Sequence, residues 1–243
     1  MLLITEIKNH LKKFLFLNKV HKKLNSIYMF LFLSLSSHER IFLYYFRHGV
    51  WGSDSKSGPG SEISQTQQII EELPLILNDF SIRSIIDIPC GDFNWFSKIN
   101  LKQVKYLGID IVEEVVNSNQ RVHGSSSVSF QRGNIINAKI DSCDLIICRD
   151  LFIHFSNEDI FLSLLNLINS QARYILTTSF VDRPNNKDIL TGQFRPLNLI
   201  KSPFNLPQPL RILNENCTES SGAFSDKSLC LWSLNDVKQA LSV

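Results

Sequence analysis

From Ser84 onward, short apolar runs alternate with stretches whose apolar residues recur at helical spacing, and this alternation constrains the chain more than any other feature. The runs are Ser84–Ile88, Val104–Ile109, Val128–Gln131, Asp144–Cys148 and Tyr174–Thr178. Between the last two, Ile160, Leu164, Leu165 and Ile168 make a stripe over Asn157–Asn169. A short helix-compatible stretch, Phe93–Lys98, separates the first two runs, and a further helix is expected from about Glu113. Upstream, Ile69, Ile70, Leu73 and Leu77 predict a helix over Gln65–Leu77, with Ser61 and Ser64 offering N-caps. Strands alternating with helices imply a parallel sheet covered on both faces. Leu210–Leu213 and Leu229–Leu234 lack a crossover helix between them, so they predict an antiparallel pair at the sheet edge.

Ligands in such sheets bind beyond the carboxyl ends of the strands. The first run ends in Asp87-Ile-Pro89-Cys90-Gly91, where Pro89 sharpens the turn and Gly91 lets backbone pass close to a ligand. Asp87 can face an ammonium group. The second run ends in Gly108-Ile-Asp110, an acid about 20 residues on, where folds of this kind hydrogen-bond ribose hydroxyls. The competing reading of Asp110 is a cap for the helix that follows. Asn134 and Ile135 end the third run and suit an adenine edge and face, or simply a turn. The fourth run leads into Arg149, Asp150 and His154; His154 is either a general base oriented by Asp150 or a residue packed against Phe152 and Phe155. Arg195 and Asn186, in the polar segment Asn185–Pro209, are the candidates for the substrate side, with a solvated arginine as the competing reading.

Charge is divided unevenly. Residues 1–50 hold eight Lys or Arg against two Glu, whereas the rest holds 17 against 21. The acidic body argues against a nucleic-acid groove, because the dense basic cluster (Lys8, Lys12, Lys13, Lys19, Lys22 and Lys23) lies in the extension. Residues 1–48 form the expected extension and 49–243 the expected catalytic domain, with the loop Ser53–Ser61 at the join. The apolar run Ile27–Leu35 is too short to span a bilayer, which takes about 20 residues. It leaves three readings open: helices packing on the body, a peripheral membrane contact, or a targeting segment. Five cysteines without a C-x-x-C pair fit a reducing cytoplasm and no zinc site.

These residues resemble the class I S-adenosylmethionine-dependent methyltransferases. The resemblance is carried by Trp51-Gly52, Ser57-Gly-Pro-Gly-Ser61, Asp87-Ile-Pro-Cys-Gly-Asp-Phe-Asn-Trp95, Cys148-Arg-Asp150 and His154, and points to bacterial-type methyltransferase-domain proteins of unassigned substrate. It implies a Rossmann-like methyltransferase fold with a mostly parallel seven-stranded sheet, helices on both faces and an antiparallel C-terminal edge strand. It also implies S-adenosylmethionine as cofactor, with Asp87 and Gly91 at the methionine-binding motif, Asp110 at the ribose, Asn134 at the adenine and Cys148 to Asp150 at the strand-four motif. The cofactor-binding set expected from residues and resemblance together is Asp87, Pro89, Cys90, Gly91, Trp95, Asp110, Ile111, Asn134, Ile135 and Arg149, with Asp150 and His154 the catalytic candidates and no metal required. Two departures stand out: the glycine-rich loop is reduced to Pro-Cys-Gly-Asp, and Asn134 replaces the usual acid. An Asn-Pro-Pro-Tyr motif is absent, which disfavours base N-methylation. The expected reaction is methyl transfer to an oxygen or nitrogen of a small molecule, such as a sugar or lipid-linked acceptor. The alternative is a non-catalytic protein that binds an adenosyl ligand or a partner on the same fold.

Overall fold

From Ser84 onward each apolar run becomes a strand, and the expected helices form within a few residues of their bounds, except that Phe93–Lys98 gives only a 3-10 turn at Phe96–Lys98. The computed structural model describes residues 22–52, 55–101 and 103–241; Lys8, Lys12, Lys13 and Lys19 of the basic cluster, and Ser53 of the joining loop, lie outside the described residues. The strands are β1 (Ser84–Asp87), β2 (Lys105–Asp110), β3 (Val128–Arg132), β4 (Leu145–Cys148), β5 (Tyr174–Phe180), β6 (Arg211–Asn214) and β7 (Lys227–Ser233). They make one seven-stranded sheet in the order β3-β2-β1-β4-β5-β7-β6. The first five strands are parallel. β7 runs antiparallel between β5 and β6, so both C-terminal strands oppose the rest.

The helices are α1 (residues 22–35), α2 (His38–His48), α3 (Ile63–Asp79), α4 (Glu113–His123), α5 (Asn157–Ile168), the single turn α6 (Glu219–Gly222) and α7 (Leu234–Ala240). Successive residues of a strand point to opposite faces, and the sheet sorts its apolar side chains accordingly. Ile86, Ile146 and Cys148 join Phe42 of α2, Ile160 and Leu164 of α5 and Val237 of α7 in one cluster. Ile85, Leu145 and Ile147 join Ile69, Leu73 and Ile76 of α3 in the other. Burial on both faces is why β4 reads as an unbroken apolar run.

Boundaries differ in detail from the expected ones. By contacts the chain divides into two units, Met1–Ser37 and His38–Val243, which places α2 in the second. Helix α2 buries Ile41, Phe42 and Tyr45, and the Tyr45 hydroxyl donates to the Gly192 carbonyl at 2.8 Å. The cap of α3 also differs: Glu62 occupies the N-cap without a side-chain bond, and Ser61 closes a preceding turn instead. Ser64 lies inside the helix.

Candidate active site

The carboxyl ends of β1, β2 and β4 open into a cavity of ≈ 460 Å³. Asp87, the last residue of β1, is buried on its wall and accepts a hydrogen bond from the Tyr106 hydroxyl at 2.7 Å. Burial pushes its carboxyl up to about 7, against the opposing pull of the Tyr106 bond and of Arg149. The chain then turns through Pro89, Cys90 and Gly91, which also line the cavity. Gly91 has φ +54°, and a Cβ there would collide with Ser57 Oγ, so only glycine serves at this position.

Asp110, at the end of β2, ties that turn down. Its Oδ2 accepts from the Gly91 amide at 3.1 Å and its Oδ1 from the Val112 amide at 2.9 Å. Burial pushes its carboxyl up to about 6 in spite of these donors. Each carboxylate oxygen has room for a second donor, so anchoring the turn and accepting ribose hydroxyls are compatible roles. Ile111, Val112 and Ile135 supply apolar wall nearby, and Asn134 lies beside them with its Oδ1 accepting the Ile136 amide at 3.1 Å.

Lys56, Ser57, Gly58, Pro59, Gly60 and Ser61 line the cavity, although the sequence assigned this loop, part of the family resemblance, no contact in the site. Asp92 accepts from Ser55 Oγ at 2.8 Å and from the Lys56 amide at 3.0 Å, and its own amide donates to Ser57 Oγ at 2.8 Å. Asn94 Nδ2 donates to the Ser61 carbonyl at 3.0 Å. The polar residues of the first motif therefore fasten this loop to the site.

Beyond β4, the side chains face partners far away in sequence. Arg149 is buried, bonds Glu215 through Nη2 at 2.6 Å and Nε at 3.3 Å, and donates to the Gly60 carbonyl at 2.7 Å. Trp95 lies under its guanidinium, 5.5 Å away. Lys227, the first residue of β7, reaches Asp150 Oδ2 at 2.7 Å and Glu215 Oε2 at 3.4 Å. Burial opposes ionisation of Asp150, but Arg149 and Lys227 outweigh it and hold the carboxyl well below the usual range. Asp150 adopts φ +57°, and Thr178 holds it by accepting from its amide at 2.8 Å and donating to its Oδ1 at 3.1 Å. A non-glycine residue in this conformation at a cavity wall marks a position where surroundings impose strain.

His154 also lines the cavity, its ring 5.9 Å from Trp51 and 5.8 Å from Phe194. Its Nδ1 lies 2.9 Å from the Gln193 carbonyl, which can only accept, so Nδ1 carries the proton and Nε2 the lone pair. The orienting group is thus Gln193, and Asp150 acts on His154 only through its field. Burial lowers the pKa of His154, opposed by the Gln193 bond. Arg195 and Asn186 are absent from the cavity wall. Arg195 is buried, donating to the Phe152 carbonyl at 2.9 Å and to Asn157 Oδ1 at 3.1 Å; Asn186 exchanges bonds with the Asn198 backbone. Both brace irregular backbone where substrate contacts were expected.

A family model described as a methyltransferase domain matches residues 80–223. This chain belongs to the class I S-adenosylmethionine-dependent methyltransferases. Solved structures agree on the fold of this methyltransferase. The N-methyltransferase NodS from Bradyrhizobium japonicum WM9 matches with a TM-score of 0.50 at 15% identity, over 70% of this chain and 93% of its own. TnmH matches with a TM-score of 0.52 at 11% identity, over 69% of this chain and 54% of its own. None of the curated proteins matches the chain. The cavity of the methyltransferase fits S-adenosylmethionine on its own chemistry. Two buried carboxylates, able to accept from an ammonium and from ribose hydroxyls, flank a positive-φ glycine turn, and isoleucine and valine supply an apolar wall of the kind an adenine ring needs. The guanidinium of Arg149, by contrast, is committed to Glu215 and Gly60 and holds the site together.

Proposed function

We propose that this methyltransferase acts on an oxygen or nitrogen nucleophile of a small molecule, with His154 as general base. The observation that carries the reading is the bond from His154 Nδ1 to the Gln193 carbonyl, which assigns the lone pair to Nε2 on a residue of the cavity wall. When bound, the cofactor supplies a methyl group on positively charged sulfur. His154 takes the proton that the acceptor loses as it becomes a nucleophile, and its lowered pKa keeps it unprotonated at neutral pH. Asp150, held ionised, accepts a hydrogen bond from the acceptor and orients it. Aromatic side chains, including Trp51, Phe194 and Phe224, line the cavity and suit an acceptor with an apolar body. The confined volume and the acidic body favour a small molecule over nucleic acid.

The test is calorimetric titration with S-adenosylmethionine and S-adenosylhomocysteine, followed by transfer of labelled methyl to a panel of phenols, amines and sugars. Binding of both ligands and labelling of at least one acceptor are expected. Failure of both ligands to bind overturns the reading. Binding without transfer to any acceptor favours a non-catalytic adenosyl-ligand-binding protein.

A further inference from the structure

Helix α1, described here by itself, carries an apolar face that the methyltransferase reading does not use. Leu24, Ile27, Tyr28, Leu31 and Leu35 follow at spacings of three and four residues, which places them on one stripe of a helix. All five are exposed, Tyr28 at 61% and Leu35 at 81%, and Phe30 beside them is exposed as well. A helix that leaves so continuous a stripe uncovered is built to meet another apolar surface.

Charge identifies that surface. The first 23 residues contain six lysines, Lys22 and Lys23 within α1 itself, against the single acid Glu6. Joining the stripes of two copies leaves these lysines without counter-charge, and brings them together in a parallel pair, whereas an anionic surface neutralises them. No helix among the described residues is long and apolar enough to cross a membrane. A helix with an apolar stripe, aromatic residues and a basic flank suits the plane of the interface.

We propose that α1 docks the protein on an anionic lipid surface, the stripe entering the acyl boundary and the lysines meeting the headgroups. The proposal stands whether or not the small-molecule reading of the active site holds. It is tested by floating the full chain with vesicles of phosphatidylcholine alone and with about one third phosphatidylglycerol. Binding to the anionic vesicles only, weakened as salt rises from roughly 0.05 to 0.5 M, is expected. Replacing Leu31→Glu and Leu35→Glu together should lower partitioning by about tenfold or more, and Lys22→Glu with Lys23→Glu should lower it too. Circular dichroism and cofactor titration, both unchanged, show that these variants fold. No binding to anionic vesicles overturns the proposal, as does binding that the stripe variant leaves intact. Concentration-dependent self-association that the stripe variant abolishes, without vesicle binding, assigns the face to a second copy instead.

Discussion

In the proposed mechanism the imidazole of His154 takes the proton and the carboxylate of Asp110 serves the cofactor. His154 bonds the Gln193 carbonyl and packs between Trp51 and Phe194, so its removal leaves the β1–β2 turn untouched. His154→Ala should keep cofactor affinity within about twofold and lower kcat by roughly a hundredfold or more, as loss of a general base does. Because burial lowers its pKa, kcat at saturating cofactor should reach its plateau by neutral pH and fall only below the ordinary histidine range, near 6.5. A profile that still climbs above neutrality would assign the limb to another group. Asp110 behaves differently, since its two oxygens already accept the Gly91 and Val112 amides. Asp110→Asn preserves size but turns one acceptor into a donor facing a backbone N–H. Charge-assisted bonds of this kind contribute about 1.5–3 kcal/mol each. Titration should therefore show S-adenosylmethionine and S-adenosylhomocysteine both weakened by about tenfold or more in Asp110→Asn, and unchanged affinity would remove Asp110 from the site.

Elements far apart in sequence meet in the buried network of Arg149, Asp150, Glu215 and Lys227, where β4, β7 and the loop over the cavity converge. Lys227→Met leaves two carboxylates to share Arg149, and removing one partner from a buried ionic cluster costs about 3–5 kcal/mol. A clear fall in melting temperature is expected, with Asp150 less firmly ionised and turnover reduced. Gly60→Ala tests the loop more gently. Its added Cβ would stand 3.1 Å from both Asp150 Oδ2 and Lys227 Nζ, and neither atom can retreat without loosening an ion pair. Overpacking of this sort costs about 1–3 kcal/mol, so a lower melting temperature and weaker cofactor binding should appear together. None of this network was legible in the sequence, because Arg149 and Glu215, or Asp150 and Lys227, are joined only by the fold. The strands were legible for the opposite reason: a strand buried on both faces, such as β4, must be apolar throughout. That Asp87, Gly91 and Asp110 line the cavity was legible because position at a strand end is local. The places of Asn186 and Arg195 were not, because polar residues that satisfy irregular backbone have the same composition as those that face a cavity. The division between α1 and α2 was not legible because only Ser36 and Ser37 separate the two helices and both carry apolar residues.

At the scale of the whole molecule, the cofactor cavity is where the fold holds carboxylates at a disadvantage. Burial raises Asp87 to about 7 and Asp110 to about 6, whereas an unfolded chain would titrate both near 3.9. The native state therefore binds more protons than the unfolded state between about pH 4 and 7, and stability of the free protein declines as pH rises through that window. A cationic ligand beside Asp87 reverses the balance, because it favours the carboxylate and drives the proton off. Binding of S-adenosylmethionine should consequently tighten from pH 6 to pH 8 and release a fraction of a proton near pH 7. Titrations in two buffers of different ionisation enthalpy measure that release directly. The rise in melting temperature on adding cofactor should grow over the same range, since stabilisation follows affinity at fixed ligand concentration. In Asp87→Asn the group cannot ionise, so affinity should drop and most of the pH dependence should vanish. A proton release that persists undiminished in Asp87→Asn would place the titrating acid elsewhere, with Asp110 the remaining buried carboxylate raised into that range.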